Sequence, residues 1–210
     1  MINYRNHEYI RKTCKKYNIT NYIINQDGSI DVEGNVSLSE KNLDKLLLMF
    51  KNVGGDFDCS DNQLTTLKGS PESVGGDFYC SDNQLTTLEG SPKSVGGGFY
   101  CSNNKLTSLE GSPKSVGGNF NCSNNQLTSL EGSPESVGGG FYCHNNPIAL
   151  IYYLFHDEYN YSLIDFFNDC EIIYGNELSL YRLNGFLLDI DIPEVTNEQL
   201  ERIKKYYKVI

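Results

Sequence analysis

The chain has little positive charge and no long apolar run, and each shortage excludes a class of function. It carries 17 Lys and Arg residues against 27 Asp and Glu residues, a net charge of −10. A nucleic-acid surface needs clustered cations to neutralise phosphates, so we expect no direct nucleic-acid binding. No segment approaches the roughly 20 apolar residues of a membrane-spanning helix, and residues 1–19 lack the apolar core of a secretory signal. We therefore expect a cytoplasmic protein that does not enter membranes.

Motifs that carry chemistry are also scarce. The sequence has three histidines and shows no Ser/His/Asp set, no phosphate-binding loop and no closely spaced cysteine pair. Its seven cysteines are an odd number, and five of them follow a fixed spacing that is unlike a disulfide framework. We expect a protein that is not an enzyme and has no cofactor and no metal.

A 21-residue repeat dominates what is present. The phrase CSDNQLTTL begins at residues 59 and 80, and close variants begin at residues 101 and 122. The matching columns are Val32, Val53, Val74, Val95, Val116 and Val137, then Phe57, Phe78, Phe99, Phe120 and Phe141, then Cys59, Cys80, Cys101, Cys122 and Cys143. Val36 and Leu38 precede the Phe and Cys columns, so the array is predicted to hold six copies over residues 32–151, the first of them degenerate.

Each copy is predicted to form one coil with a buried stripe. Val74, Gly76, Phe78 and Cys80 alternate with polar residues, which is typical of a strand with one buried face. Asn83 follows where the chain must turn, and its amide can both donate to and accept from unpaired backbone groups. One coil cannot bury its stripe alone, so the copies must stack into a parallel sheet of about six strands.

The file of cysteines permits three interpretations: a metal site, a set of nucleophiles, or part of the core. Zinc needs about four converging ligands, whereas these thiols lie 21 residues apart along the array. Catalysis needs a thiolate with a base nearby, and an apolar stripe raises a thiol pKa instead. Leu38 occupies the same column, which indicates a position used for its volume. We interpret the cysteines as core residues.

The order Phe-x-Cys-x-x-Asn-x-Leu-x-x-Leu, followed by Pro, resembles the leucine-rich repeat LxxLxLxxNxL of the short bacterial type. The chain departs from that pattern by its Cys and Phe residues and by a Gly-Gly pair before the strand. The resemblance implies an α/β leucine-rich-repeat solenoid with a parallel concave sheet that binds other molecules. Similar Cys- and Gly-rich arrays occur in proteins of large tailed bacteriophages. That likeness implies a phage-encoded protein in the host cytoplasm that binds and inhibits or redirects a host defence protein.

Outward residues of the sheet are the predicted contact surface. They are Asp56, Asp58, Asp61, Asp77, Tyr79, Asp82, Tyr100, Asn103, Asn119, Asn121, Tyr142 and His144. They change from copy to copy while the buried columns stay constant. Different partner contacts at each coil would produce this variation, and so would sequence drift on a solvated face. Tyrosines are frequent anchors of interfaces, and the aspartates would attract a protein partner with a basic patch.

Two other functions and one ion site stay open at this point. The acidic surface is also compatible with a mimic of nucleic acid that blocks a host nucleic-acid-binding enzyme. A structural or assembly component is a third possibility. Asp56, Asp58, Asp77 and Asp82 would bind a hard cation such as calcium weakly if they converged. The sequence gives no oligomeric state.

Both ends are predicted to cap the array. The pattern of residues 1–31 predicts a helix with Ile10, Cys14 and Tyr17 on one face, followed by a hairpin at Asp27-Gly28. Basic residues on the other helix face would contact a nucleic acid or a membrane, or only water. Residues 152–210 are predicted to be a mostly helical cap or a second contact surface, with Thr196 and Gln199 as a helix capping box.

Overall fold

The repeat region folds as a parallel β-solenoid of about five turns. The computed structural model describes residues 6–148, 172–174, 177–189 and 194–210. Neighbouring coils pair in register, so that identical columns of the sequence lie side by side: Phe78 pairs with both Phe57 and Phe99. The 21-residue period is therefore the length of one coil.

Each coil contributes one short strand to each of two sheets. The six-stranded sheet contains β3 (Val36–Ser37), β5 (Phe57–Asp58), β7 (Phe78–Tyr79), β9 (Phe99–Tyr100), β11 (Phe120–Asn121) and β13 (Phe141–Tyr142). The seven-stranded sheet contains β1 (Tyr22–Ile24), β2 (Ile30–Val32), β4 (Phe50–Val53), β6 (Ser73–Val74), β8 (Ser94–Val95), β10 (Ser115–Val116) and β12 (Ser136–Val137). Only the β1–β2 pair among these is antiparallel.

The predicted parallel sheet of about six strands is confirmed for the Phe column, but the second sheet was not expected. Alternation from Val74 to Cys80 predicted one continuous strand. Instead the chain bends at Gly75 and Gly76, so Val74 pairs in the seven-stranded sheet and Phe78 in the six-stranded sheet. Val74, Phe78 and Cys80 are all buried, so the alternation of buried and outward residues continues across the bend.

The first glycine of each pair lets consecutive coils approach closely. A Cβ atom on Gly75 would lie 2.2 Å from the carbonyl oxygen of Gly54 in the preceding coil. The first coil has no such predecessor within the solenoid, and there the same position is Glu33. Close backbone contact between coils therefore explains why this column is glycine in every later copy.

Replacing Gly75 by alanine is expected to lower the free energy of unfolding by about 2 kcal/mol, because the methyl group overpacks the contact between coils. Gly34→Ala is the control, because Gly34 occupies the second glycine position of the first coil, where nothing lies within 4 Å of a Cβ atom. Its change is expected to stay within about 0.5 kcal/mol. Urea unfolding followed by circular dichroism measures both values, and equal losses would contradict the contact.

The core between the two sheets is made of stacked identical residues. Phe57, Phe78, Phe99, Phe120 and Phe141 form one ladder, with ring centroids 5.1 to 5.4 Å apart along it. Two leucine columns, continued by Ile148, fill the rest of each coil and are buried. Stacking the same ring in the same rotamer at each step gives close packing without new geometry at each coil.

Asparagine forms a second ladder at the turn that follows the six-stranded sheet. The Asn83 Nδ2 atom lies 3.0 Å from the carbonyl oxygen of Cys59 in the preceding coil and 3.2 Å from that of Cys80 in its own coil. Its Oδ1 atom accepts from the Leu64 backbone N–H at 2.8 Å. Asn62, Asn104, Asn125 and Asn146 repeat this arrangement. The predicted role of this column in pairing turn backbone groups is confirmed.

The amino-terminal helix and hairpin occur where they were predicted. Helix α1 (His7–Lys16) begins after the N-cap residue Asn6 and buries Ile10 and Cys14, with Tyr17 packed against the core. The hairpin turns at Gly28, whose φ is 86°. Its second strand, β2, then pairs in parallel with β4 and so begins the solenoid sheet.

The described part of the carboxyl-terminal region contains both helices and short strands. It contains β14 (Ile173–Tyr174), β15 (Glu177–Leu178), α2 (Leu180–Asp189), α3 (Asn197–Ile203) and β16 (Lys208–Val209). The predicted capping box of α3 is confirmed by bonds in both directions between Thr196 and Gln199. Tyr207 is 3% exposed and donates to the Thr128 carbonyl oxygen at 2.7 Å, which attaches this region to the array. The rest of the predicted cap lies outside the described residues.

Candidate functional site

The predicted contact residues fall into four columns at and beside the six-stranded sheet. The entry column, before each strand, contains Asp56, Asp77 and Asn119; the central column contains Asp58, Tyr79, Tyr100, Asn121 and Tyr142. The serine column ends in His144, and the exit column contains Asp61, Asp82 and Asn103. The repeat thus brings these residues together in parallel rows on one side of the sheet. The columns differ in the contacts and the backbone conformation that position their side chains.

Residues of the entry column bond to the backbone of the next coil. Asp56 Oδ1 accepts from the Asp77 N–H at 2.9 Å, and Asp77 Oδ1 accepts from the Gly98 N–H at 2.6 Å. Asn119 Oδ1 accepts from the Gly140 N–H at 2.8 Å. These oxygens pair backbone donors that would otherwise lack partners between coils. The entry column therefore has a structural role that its predicted role in binding did not include.

Backbone conformation explains which residue types occupy the exit column. Asp61, Asp82 and Asn103 have φ values of 54°, 55° and 54°, and the same position is left-handed in the two following coils. Asn and Asp tolerate this conformation better than other residues that carry a Cβ atom. Their side chains are exposed, so they remain available for contact. The restriction to Asp and Asn, visible in the sequence, was a signal for this turn.

The central column is the part of the surface with aromatic character. Asp58, Tyr79 and Tyr100 lie on neighbouring strands in register. The rings of Tyr79 and Tyr100 are stacked, with centroids 4.8 Å apart and an interplanar angle of 8°. The Tyr79 hydroxyl donates to Asp77 Oδ2 at 2.7 Å, and this bond to a carboxylate raises the tyrosine pKa above its ordinary value.

Glycine in the entry column makes room for tyrosine in the central column. A Cβ atom on Gly98 would lie 2.6 Å from the Tyr100 hydroxyl oxygen, and Gly140 has the same relation to Tyr142. The Tyr100 ring therefore lies back over Gly98, which is buried as a result. In each of these coils the tyrosine ring lies against the backbone of its own coil.

Tyr142 and His144 form the far end of the surface. The Tyr142 side chain is 40% exposed, and its ring centroid lies 6.1 Å from that of His144 at a tilt of 40°. Asn121 separates this pair from the stacked tyrosines. The surface therefore has acidic residues at its first coils and aromatic and amide side chains at its last, as the sequence predicted.

The repeat cysteines are confirmed as core residues. Cys59, Cys80, Cys101, Cys122 and Cys143 are each 0% exposed. Burial is the main cause that raises the pKa of the Cys80 and Cys122 thiols well above the ordinary value of 9.0, and neighbouring cysteines add to it. A neutral, enclosed thiol is a poor nucleophile.

We expect a thiol reagent such as DTNB to leave these five cysteines unmodified in the folded protein at pH 8 and to modify them after denaturation. Because folding raises their pKa, the folded state holds their protons more tightly, so stability is full below pH 9 and falls as pH rises above it. Urea midpoints at pH 8 and pH 10 measure this loss. Rapid labelling of any of the five repeat cysteines in the absence of urea would contradict their burial, whereas labelling of Cys14 or Cys170 would not.

Within the described ranges, no group of three or more His, Cys, Asp or Glu side chains could hold a metal ion. The four aspartates considered for calcium do not converge: Asp56 and Asp77 are bonded to backbone N–H groups, and Asp58 Oδ1 accepts from the Ser60 hydroxyl at 2.6 Å.

No helix in the described part is long and apolar enough to cross a membrane.

The geometry is that of a repeat protein, a parallel β-solenoid with one ordered polar and aromatic surface. No protein-family model, no curated protein and no solved structure matches the chain.

Proposed function

We propose that the chain is a non-catalytic protein-binding module of leucine-rich-repeat type that engages its partner through the central column. The observation that supports this most is the stacked pair Tyr79–Tyr100, held on the surface of a rigid sheet. Tyrosine supplies a large amphipathic contact area and is enriched among residues that dominate binding energy.

The tyrosines are ordered before a partner arrives. Tyr79 is held by its hydroxyl bond to Asp77 and by the Tyr100 ring, and Tyr100 lies over Gly98. Fixing a free side chain on binding costs about 0.5 to 1.5 kcal/mol. A surface whose anchors are already fixed avoids much of that cost, which favours specific recognition of a protein.

The acidic end of the surface favours a partner with a basic patch. Asp58 stands beside Tyr79 in register, and Asp61 and Asp82 are exposed at the adjacent turns. Their charge speeds the encounter with a cationic surface more than it strengthens the final complex. We expect the triple variant Asp58→Asn, Asp61→Asn and Asp82→Asn to associate more slowly and with a weaker dependence on salt.

Resemblance to the Cys- and Gly-rich arrays of tailed phages extends the proposal. On that basis the partner is a host protein, a defence protein among the candidates, which the chain inhibits or redirects. Mimicry of nucleic acid has less support, because three of the five aspartates, Asp56, Asp58 and Asp77, accept from backbone N–H groups. A mimic would present its carboxylates free to the solvent.

Affinity capture from a bacterial lysate tests the proposal. Proteins retained by the wild-type chain are identified by mass spectrometry and compared with those retained by the double variant Tyr79→Ala/Tyr100→Ala. The double variant is expected to weaken binding of a specific partner by at least about 2 kcal/mol, roughly 30-fold. Tyr181→Ala is the matched control, since this tyrosine is 87% exposed on helix α2.

Retention of the same proteins by wild type, double variant and control would overturn the role of the stacked tyrosines. Loss of a partner with the three Asp→Asn changes alone, while the tyrosine variant binds normally, would instead support an acidic mimic. Far-UV circular dichroism of each variant shows whether the fold is retained.

A further inference from the structure

A cavity lies where the last coils meet the carboxyl-terminal region. Its volume is about 760 Å³, and its lining includes Thr107, Gln126, Thr128, Asn145 and Tyr206. That volume is within the range of about 300 to 1,000 Å³ that is typical of small-molecule sites. The cavity is separate from the central column, and the protein-binding proposal does not use it.

The described residues of the lining are uncharged, although the chain carries a net charge of −10. They are amides, hydroxyls, a proline and one aromatic ring, with no Asp, Glu, Lys, Arg or His. An anion such as phosphate is usually bound by Arg or Lys, and a cation by carboxylates. The chemistry of the cavity therefore favours a neutral ligand with many hydroxyl groups.

Some polar side chains of the cavity are already hydrogen-bonded within the protein, and others are not. Asn125 and Asn146 belong to the asparagine ladder, and their amides bond to backbone groups of neighbouring coils. In contrast, the side chains of Gln126, Thr107 and Tyr206 make no hydrogen bond with other described residues. The cavity thus offers an amide and two hydroxyl groups that can each donate and accept.

The aromatic ring is attached to a fixed segment. Tyr207, the next residue, is buried and donates to the Thr128 carbonyl oxygen at 2.7 Å. The Tyr206 N–H donates to the Ile203 carbonyl oxygen at 3.0 Å in the turn after helix α3. Both bonds hold the backbone of Tyr206 in place, and its side chain is 50% exposed at the cavity.

We propose that this cavity binds a neutral saccharide. A pyranose ring has an apolar C–H face that packs on an aromatic ring, and a rim of hydroxyls that donate and accept hydrogen bonds. Tyr206 supplies the ring, while Gln126 and the threonine hydroxyls supply the matching polar groups. The saccharide binds between the array and the carboxyl-terminal region, so it bridges the two.

Titration with maltotriose, cellotriose and triacetylchitotriose, followed by saturation-transfer NMR and calorimetry on the full chain, tests this site. We expect at least one trisaccharide to bind with a Kd of about 1 mM or tighter, and Gln126→Ala and Tyr206→Ala each to weaken it about tenfold. Gln84→Ala is the matched control, because Gln84 occupies the same coil position two repeats earlier, away from the cavity. It is expected to leave the Kd unchanged.

Failure of all three trisaccharides to bind would overturn the proposal, as would binding that Gln126→Ala does not weaken. Adenosine is included as a flat, neutral ligand of another class. Binding of adenosine alone, with the same dependence on Gln126, would assign the cavity to nucleosides and exclude the saccharide. Gln126 is an exposed residue of the array, so its variant keeps the test valid if Tyr206→Ala disturbs the tail.

Discussion

Replacement of Asn83 by alanine is expected to destabilise the protein by about 4 kcal/mol. The side chain is 3% exposed, and its Nδ2 atom lies within 3.2 Å of the carbonyl oxygens of Cys59, Cys80 and Ser81. Its Oδ1 atom accepts from the Leu64 N–H. Alanine leaves the buried Leu64 N–H without a partner, which costs about 1 to 3 kcal/mol. It also removes one of two hydrogen bonds from each carbonyl oxygen, since those of Cys59, Cys80 and Ser81 each keep a second donor.

Urea unfolding of Asn83→Ala measures the loss, and Gln84→Ala is the control in the same coil. Gln84 is exposed, and only its backbone takes part in the coil contacts, with its N–H donating to the Leu64 carbonyl oxygen at 2.9 Å. Its replacement is expected to change stability by less than about 0.5 kcal/mol. A loss at Asn83 no larger than at Gln84 would show that water replaces the ladder bonds.

The period and the buried columns could be predicted from the sequence because each coil repeats one environment. Phe78, Cys80 and Leu85 recur at 21 residues and are all fully buried. Alternation placed the side chains on the correct face but could not reveal the bend at Gly75, since it continues unchanged across the two glycines. The division into two sheets depends on close approach between coils, which one copy read alone does not show.

The candidate surface was predicted in position but not in detail. Outward residues were found by alternation, yet the role of Asp56 depends on an N–H group 21 residues later in the next coil. The left-handed φ of Asp82 could have been inferred, because its column contains only Asp and Asn after the first copy. The stacking of Tyr79 on Tyr100 follows from register, but the bond from Tyr79 to Asp77 needed coordinates.

Replacement of Phe99 by alanine is the second change with a large expected effect, a loss of about 4 kcal/mol in the free energy of unfolding. The ring is 0% exposed and stacks on Phe78 at 5.2 Å and on Phe120 at 5.4 Å. Alanine removes the transfer energy of the ring and both aromatic contacts, and it leaves a cavity between coils. Each coil packs only on its neighbours, so no distant contact compensates.

Phe50→Ala is the matched control, since the same side chain is removed from a position with fewer ring contacts. Phe50 is 3% exposed and makes one edge-to-face contact, with Phe57 at 5.0 Å. Because an aromatic pair adds about 0.5 to 1.5 kcal/mol beyond burial, Phe50→Ala is expected to cost about 1 kcal/mol less than Phe99→Ala. Urea midpoints decide between them: equal losses would mean that burial alone holds the coils together, and a larger loss at Phe99 would mean that the stacked ladder joins each coil to the next.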